Sequence, residues 1–357
     1  MDKIDGIIYK KIDRISPSQF YSMKNCAYKS LLAEAFGKKP LLPVSSNAYF
    51  GTVLHKMLEL IAKGKIIGEE GFNKSFDEQV QLQEDYLKKQ GFDFFVPLQK
   101  NVKDFGMKKI LLKKHLRSVS SNPQKVASTK YDSEKWLESK DKLIAGKVDL
   151  IIEEAEYTEI VDFKTGAITQ DVLDEEGELF SEIKPEYKEQ LKIYAYLYFE
   201  TYGTYPTRLS LIDLAKLRFT IDFTKAECEA LVDEAKSLLQ KTNESIDINV
   251  FNANPSNTNC KYCLYRPACS FFRVYLQTDY SFNDIAGIIK KVITYQNGNI
   301  SLFIENGGNK ITVTGFPSEK YDALNEKLEK EVSVFNLRKE AMEFVYSVTK
   351  TTKIYEY

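Results

Sequence analysis

The spacing of apolar residues changes several times along the chain, and each change predicts a different element. From Phe50 to Leu58, apolar residues recur every three or four positions, which predicts an amphipathic helix from about Asn47. Residues 70–140 are rich in charge and are predicted to be mostly helical. The period then falls to two in LIAGKVDLIIEE (143–154) and YTEIVDFKTG (157–166), so we predict two strands joined as an antiparallel hairpin.

Turn and helix signals organise the second half of the chain. A loop with seven acids and one lysine is predicted between Asp171 and Glu186. Pro185 then opens a long helix, which Gly203 ends. From about Ser281 the pattern predicts three strands, a helix and at least two further strands, with hairpin signals such as Asn297-Gly298.

Two charged residues interrupt the otherwise apolar second strand of the predicted hairpin. Asp162 and Lys164 are two positions apart, so their side chains share one face of the strand, while Val161 and Phe163 share the other. An unpaired buried charge is costly. The pair therefore indicates either an edge strand with a surface ion pair or a functional site.

Composition limits the class of protein. The chain has 357 residues, 43% of them hydrophobic, and a net charge of −1, which is typical of a globular protein with about two domains. No apolar run reaches the roughly 18 residues needed to span a bilayer, and no signal-peptide core is evident. We therefore expect a cytoplasmic protein without a membrane partner, in which the five cysteines are thiols or metal ligands.

Three cysteines lie close together near residue 265. Cys260, Cys263 and Cys269 form C-x2-C-x5-C, and a tetrahedral metal centre would need a fourth ligand from elsewhere. Cys26 is the best candidate, because Cys228 lies in a helical pattern typical of a buried thiol. An iron–sulfur cluster and zinc both suit four thiolates, and three unrelated buried cysteines are the alternative.

Asp149 supplies a second carboxylate on the first strand of the hairpin. Asp149 and Asp162 can converge across the hairpin and hold Mg²⁺ or Mn²⁺ through oxygen. Such an ion lowers the pKa of a bound water and stabilises charge that develops on phosphorus. Lys164 would position or deprotonate that water, so the three residues indicate phosphodiester hydrolysis.

These residues resemble the PD-(D/E)xK nuclease core. Further motifs resemble its RecB/AddB branch, which includes small CRISPR-adaptation exonucleases with a four-cysteine iron–sulfur cluster. The resemblance covers roughly residues 14–275. The matching motifs, in chain order, are G-x-x-x-H at Gly51–His55, G-x-x-D at Gly146–Asp149, D-x-K-T-G at Asp162–Gly166, Q-x-x-x-Y at Gln190–Tyr194, and one early and three late cysteines.

The resemblance implies roles for the remaining positions. His55 would be a further metal ligand, and Gln190 and Tyr194 would contact the substrate near the metal. The four cysteines would hold a [4Fe–4S] cluster, with Zn²⁺ as the alternative. Two departures stand out: Val148 replaces the proline of the family's name, and Ala27 follows Cys26 where proline is frequent.

Two further regions could contact nucleic acid. Between Lys100 and Arg117 there are seven basic residues and one acid, which predicts either phosphate contacts or a solvated helix face. The strand order of the C-terminal region resembles an OB-fold, a small barrel often used on single strands. Candidate contacts in that region are the aromatic residues Tyr295, Phe303, Phe335 and Tyr346 and the lysines Lys290, Lys291 and Lys310.

The sequence thus predicts an α/β protein with two domains. Residues 1–278 would form a restriction-endonuclease-like core with a helical insertion at about 57–140, and residues 279–357 an OB-like β-barrel. The predicted function is a metal-dependent DNA nuclease, acting as a single-strand exonuclease in repair, recombination or defence. The alternative is a DNA-binding scaffold or partner subunit of a helicase–nuclease complex. No G-x-x-x-x-G-K-[ST] phosphate loop is present, so a helicase motor would have to be a partner.

Overall fold

The chain folds into two units, each built from separate segments of the sequence. The structure is a computed structural model that describes residues 2–4, 6–119, 130–173, 176–278 and 282–357. Unit 1 comprises Met1–Lys11, Asn25–Val44 and Glu244–Tyr357, and unit 2 comprises Ile12–Lys24 and Ser45–Asn243. The domain boundary predicted at 278/279 falls at residues 279–281, which lie outside the described residues.

Helices and strands follow one another in runs along the chain. The helices are α1 Pro17–Asn25, α2 Ala27–Ala35, α3 Ser46–Ala62, α4 Gly68–Lys89, α5 Leu98–Asn101, α6 Phe105–Val119, α7 Pro185–Tyr202, α8 Lys225–Asp247, α9 Asn257–Cys260, α10 Ser270–Tyr275 and α11 Tyr321–Asn325. The strands are β1 Asp2–Lys3, β2 Lys130–Glu138, β3 Ala145–Glu154, β4 Tyr157–Lys164, β5 Thr169–Leu173, β6 Leu179–Ile183, β7 Arg208–Asp213, β8 Arg218–Ile221, β9 Ile285–Thr294, β10 Ile300–Asn306, β11 Asn309–Phe316, β12 Glu331–Phe335, β13 Arg338–Lys339, β14 Val345–Ser347 and β15 Lys353–Glu356. None of the described helices is both long and apolar enough to cross a membrane.

Unit 2 is organised around a five-stranded sheet in the order β2-β3-β4-β7-β8. The β3–β4 hairpin is antiparallel, with Leu150 opposite Val161, which confirms the prediction from the period-two pattern. β4 runs parallel to β7, and the connection between them includes α7. β4 is therefore a central strand and not an edge strand. Asp162 and Lys164 accordingly lie on an interior strand of the sheet.

The helices of unit 2 begin and end where the sequence signals indicate. Ser45 caps α3, because its Oγ accepts a hydrogen bond from the Ala48 N–H. α7 starts with Pro185 and ends before Gly203, whose φ of 77° is the left-handed conformation that glycine adopts readily. These features confirm the predicted starts of both helices and the predicted end of α7.

Two elements of unit 2 differ from the expectation. Residues 130–138 form β2 and are not helical, because pairing with β3 outweighs a local sequence in which charges obscure the alternation. The acidic stretch expected to be a loop contains the β5–β6 hairpin, with Thr169 opposite Ile183. Residues 120–129, which belong to the predicted helical insertion, lie outside the described residues.

Unit 1 contains an eight-stranded sheet in the order β1-β15-β12-β9-β10-β11-β14-β13. The predicted order of strands and a helix is present, but the OB-like closed barrel is not confirmed: the sheet is an open, curled half-barrel. Its two edges are the two-residue strands β1 and β13, which do not pair with each other in the described part of the chain. Closing a barrel requires paired edges with a consistent stagger, and such short edges offer few backbone groups for pairing.

Candidate active site

The β3–β4 hairpin brings the two predicted carboxylates together. The backbone N–H of Phe163 donates a hydrogen bond to Asp149 Oδ2 at 2.8 Å, so the Asp149 side chain reaches across to β4 beside Asp162. This hydrogen bond also fixes one oxygen of Asp149. Because β3 and β4 are paired neighbours, an acid on each strand can reach the same region.

Asp162, Lys164 and Gln190 form a closed triangle of polar contacts. Gln190 Nε2 donates to Asp162 Oδ1 at 2.8 Å, and Lys164 Nζ donates to Gln190 Oε1 at 3.0 Å. Lys164 Nζ also lies 2.8 Å from Asp162 Oδ2, which is a close ion pair. The orientation of that contact is poor, however, so Asp162 Oδ2 is buried without a well-formed hydrogen bond to any described residue.

Gln190 and Tyr194 reach this region because they lie one turn apart on one face of α7. The Tyr194 hydroxyl donates to the backbone carbonyl of Lys147 at 2.9 Å. A Cβ at position 146 would lie only 2.8 Å from the Tyr194 hydroxyl and from Pro17 Cδ. The glycine of G-x-x-D therefore gives Tyr194 room to reach β3, which the motif alone did not reveal.

α3 places His55 at the edge of the same cluster. His55 Nδ1 lies 3.8 Å from Asp149 Oδ2, and the histidine side chain is 42% exposed. A Cβ at Gly51, one turn earlier, would be in ordinary contact with Thr165 Oγ1 at 3.4 Å. α3 therefore passes close to the end of β4 at Gly51, and His55 lies one turn further along the helix, towards Asp149.

The protonation equilibria of the cluster are shifted by its burial. Burial raises the pKa of Asp149 from 3.8 to about 7, with repulsion from Asp162 as the second cause and the Phe163 N–H and Lys164 opposing. Burial lowers the pKa of His55, against the attraction of Asp162, and the nearby Lys164 charge lowers it further. The site thus favours a neutral imidazole, which is the form that binds metals.

Tyr187 contacts the site and was missed by the sequence analysis. Lys164 Nζ lies 4.1 Å from the centroid of the Tyr187 ring, a cation–π distance. Tyr187 lies on α7, three residues before Gln190. The helical spacing of three between the two residues was the only available signal, and an aromatic residue at that spacing is usually part of a core.

The predicted metal ligands are of the right chemical kind for a hard divalent cation. Asp149 and Asp162 offer carboxylate oxygens, and His55 a neutral nitrogen. Asp162 Oδ2 is buried, and Lys164 is its ion-pair partner at 2.8 Å. Across the described ranges, however, no three His, Cys, Asp or Glu side chains converge closely enough to hold a metal ion as they stand.

The four cysteines predicted to act together line one small cavity in unit 1. The cavity has a volume of about 20 Å³, and its walls include Cys26, Cys260, Cys263 and Cys269. Burial raises the pKa of Cys260 to about 11 and that of Cys269 to about 12, and repulsion from neighbouring cysteine sulfurs adds to both. Cys228 is fully buried in α8, as expected for a spare thiol.

The iron–sulfur cluster is not supported by this arrangement. As for the acidic site, no metal-holding group of cysteines exists among the residues that the structure describes. A cavity of about 20 Å³ accommodates about one water-sized atom, which is much less than four irons and their sulfides occupy.

Some of the other residues predicted to contact nucleic acid are buried or paired, and others are accessible. Phe335 and Tyr346 are each 1% exposed and belong to cores of unit 1, so they cannot stack on bases. Lys290 pairs with Glu329 at 2.6 Å. Tyr295 is 48% exposed and Lys291 and Lys310 are exposed, so these three stay candidates.

Comparisons with known proteins bear on the family. Residues 14–270 match the model of the PD-(D/E)XK nuclease superfamily, which is well over half of the chain. Among solved structures, a candidate exonuclease from Eubacterium rectale has a TM-score of 0.44 at 10% identity, and SSO0001 a TM-score of 0.31 at 16% identity. Each alignment covers 73% of this chain and 88% of the other. No curated protein matches the sequence.

The family model covers Asp149, Asp162, Lys164 and the elements that position them. The chain belongs to the PD-(D/E)XK nuclease superfamily.

Proposed function

We propose that this protein is a divalent-metal-dependent deoxyribonuclease that hydrolyses phosphodiesters and acts as an exonuclease on single-stranded ends. The observation that carries the proposal is the cluster on the β3–β4 hairpin. Two carboxylates and a lysine meet there, and one buried oxygen of Asp162 has no well-formed hydrogen bond to a described residue. Carboxylates on neighbouring strands, with a lysine beside them, are groups suited to a divalent cation and a phosphate.

Asp149, Asp162 and His55 would hold the cation, and Mg²⁺ or Mn²⁺ suits their oxygen-rich set. When bound, the ion supplies charge stabilisation for the phosphate and acidifies a water. Asp162 is buried and Asp149 is partly buried, and such partial exclusion of water strengthens charge interactions at the site.

Lys164 is the donor that faces the reacting groups. Its Nζ is held by Asp162 and Gln190, so the ammonium is already oriented before substrate arrives. From that position it would donate to a phosphate oxygen or orient the attacking water. Gln190 links the lysine to the carboxylate, and Tyr194 fixes the backbone of β3 beside Asp149.

A nuclease assay with paired substrates tests the proposal. Linear single strands with free ends, the same strands with both ends blocked, and duplexes are incubated with Mg²⁺, Mn²⁺ or EDTA. We expect cleavage of free-ended single strands only, and none in EDTA. Asp162→Asn should be inactive, whereas Asp222→Asn, at an exposed acid beyond β8, is the matched control that should cleave normally.

The outcomes separate the alternatives. Cleavage of blocked strands would replace the exonuclease proposal with an endonuclease. DNA binding without cleavage under any metal would favour the scaffold or partner-subunit alternative, in which the protein serves a helicase–nuclease complex in repair, recombination or defence.

We further propose that the four cysteines hold a metal centre with a structural role. Their shared cavity supports this, since four cysteines that line one cavity can supply the four thiolates of a tetrahedral metal centre. The [4Fe–4S] cluster predicted from the sequence is the first candidate, and the small cavity gives weight to a single Zn²⁺ as the alternative.

Metal analysis of anaerobically purified protein distinguishes these candidates. Brown protein with about four irons per chain indicates the cluster, and colourless protein with one zinc indicates the alternative. Cys26→Ser or Cys260→Ser should lose the metal, and Cys228→Ser should retain it. Full-length protein that binds neither metal would contradict the metal proposal and leave the nuclease proposal unaffected.

A further inference from the structure

The Lys164 ammonium has a third neighbour besides its two polar partners. Asp162 Oδ2 lies 2.8 Å from Nζ, Gln190 Oε1 accepts at 3.0 Å, and the Tyr187 ring centroid lies at 4.1 Å. A cation within about 6 Å of a ring centroid is attracted by the negative face of the ring, and partial burial strengthens the attraction. The lysine side chain is 14% exposed, so water competes little for this contact.

We infer that Tyr187 is a positioning residue whose ring face holds the Lys164 ammonium at the Asp162–Gln190 pair. The inference rests on the proposed function and extends it to a residue outside the family motifs quoted above. Its basis is that Tyr187 and Gln190 both contact Lys164 from one face of α7. Tyr187 and Gln190 are three residues apart on α7, so the ring and the amide reach Lys164 from the same side.

The ring, and not the hydroxyl, is the relevant part of Tyr187. No hydrogen-bond partner of that hydroxyl occurs among the residues that the structure describes, whereas the ring lies close to the ammonium. A second cation, Lys184 Nζ, lies farther from the same ring, at 5.8 Å. Phenylalanine should therefore replace tyrosine without loss, and an aliphatic residue of similar size should not.

Without the ring, the lysine keeps its two polar contacts among the described residues, at the end of a long flexible side chain. Lysine carries much rotamer entropy, so removing one neighbour lets the ammonium leave the reacting position for part of the time. The expected loss is in turnover and not in DNA affinity, because strand binding depends mainly on phosphate contacts elsewhere.

The first test compares Tyr187→Phe and Tyr187→Leu in the full-length protein, with Tyr196→Leu as a control on the same helix. Tyr187→Phe should keep wild-type turnover. Tyr187→Leu should lower kcat about tenfold with KM for DNA unchanged, as expected for loss of a partly buried cation–π contact. Tyr196→Leu should cleave normally.

A fluorination series isolates the electrostatic part of the contact. Phenylalanine, monofluoro-, difluoro- and trifluorophenylalanine at position 187 keep the shape of the ring but progressively weaken its negative face. We expect kcat to fall stepwise along the series. A flat series, or Tyr187→Leu with wild-type turnover beside an inactive Lys164→Met, would overturn the inference and leave the proposed function standing.

A double-mutant cycle gives a readout that does not need cleavage. Urea unfolding of wild type, Tyr187→Leu, Lys164→Met and the double variant measures whether positions 187 and 164 are coupled. Coupled shifts support the contact, and additive shifts overturn it. If wild type cleaves no nucleic acid at all, the proposed function fails, and this cycle still decides whether the ring holds the ammonium.

Discussion

β4 carries two buried carboxylates that differ in how their oxygens are satisfied. Glu159, near its start, accepts hydrogen bonds from Ser210 and from Arg218 on one oxygen and from Tyr157 at 2.8 Å on the other. Asp162, near its end, has Gln190 on one oxygen and only a poorly oriented ion pair with Lys164 on the other. The two side chains lie on opposite faces of the strand.

The difference supports the proposed roles, in which Glu159 stabilises the fold and Asp162 belongs to the reacting site. Burial raises the pKa of Glu159, but the hydrogen bonds from Ser210, Arg218 and Tyr157 outweigh it, so the net pKa is lowered. Burial beside Asp162 raises the pKa of Asp149, because no comparable set of donors surrounds that pair. A saturated carboxylate stabilises the native state, whereas an unsaturated pair is poised to bind a ligand.

The largest expected effect separates the two acids of β4 by activity. Asp162→Asn should lower metal-dependent cleavage by about a hundredfold or more, because it removes charge at the reacting phosphate. Glu159→Gln should retain cleavage but lower the free energy of unfolding by about 2 kcal/mol, because its donors lose a charged acceptor. Cleavage rates and urea unfolding check both. An inactive but fully stable Glu159→Gln protein would contradict the different roles proposed for Glu159 and Asp162.

The second prediction uses pH to contrast Asp149 with Glu159 in metal-free protein. Asp149 has a raised folded-state pKa, so between pH 3.8 and about 7 the folded state holds a proton that the unfolded state has lost. Its ionisation therefore removes stability as pH rises, by at most about 4 kcal/mol at 1.36 kcal/mol for each pKa unit.

The stability of Asp149→Asn relative to wild type should accordingly increase as pH rises from 4 to 7 and stay constant below pH 4. Glu159 has a lowered pKa and should show the opposite trend: its contribution is present above pH 4.5 and is lost as pH falls through its lower folded-state pKa. Urea unfolding in EDTA at several pH values measures both. Parallel pH profiles for Asp149→Asn and wild type would contradict the raised pKa.

The third prediction concerns the glycine that gives Tyr194 room. In Gly146→Ala, the new Cβ would lie 2.8 Å from both Pro17 Cδ and the Tyr194 hydroxyl, so both of these atoms, or β3 itself, must move. We expect a loss of about 1–3 kcal/mol in stability and a reduced cleavage rate. Gly71→Ala in α4 is the control, since a Cβ there meets nothing within 4 Å. Equal behaviour of the two variants would show that β3 adjusts freely.

The sequence predicts well those parts of the fold that local signals specify. The β3–β4 hairpin follows from its period of two, and α7 from Pro185 and Gly203. β2 was predicted to be helical, because its strand conformation depends on pairing with β3 and its alternation is obscured by charge. The open edges of the unit 1 sheet could not be predicted either, because strand order alone does not determine closure.

The candidate site also contains residues that local patterns predict and contacts that depend on tertiary packing. Asp149, Asp162 and Lys164 could be identified because alternation on two neighbouring strands determines which side chains meet. The contact of Tyr187 with Lys164, and of Tyr194 with the backbone beside Gly146, depends on where α7 crosses the sheet. That crossing is set by tertiary packing, which no local pattern in the sequence encodes.

The smallest expected effect applies the comparison of satisfied and unsatisfied charges to the basic helix α6. Lys109 lies 3.1 Å from Asp77, and Lys113 pairs with Glu69. Lys108 and Lys114 have no acidic partner among the described residues. A lysine that is already paired releases fewer counterions when it meets a phosphate, so the unpaired lysines are the better candidates for DNA contact.

Two matched double variants measure this difference. Replacing Lys108 and Lys114 with Gln should reduce the slope of log K against log salt for single-stranded DNA by up to about 1.4, at about 0.7 for each phosphate contact. Replacing Lys109 and Lys113 with Gln should change the slope less and cost at most about 1 kcal/mol of stability for each exposed ion pair. Binding titrations between 50 and 200 mM salt, roughly the range over which phosphate contacts alter affinity most visibly, provide the slopes. If neither variant changes the slope, α6 is a solvated surface, and basic residues outside α6 must contact the DNA phosphates.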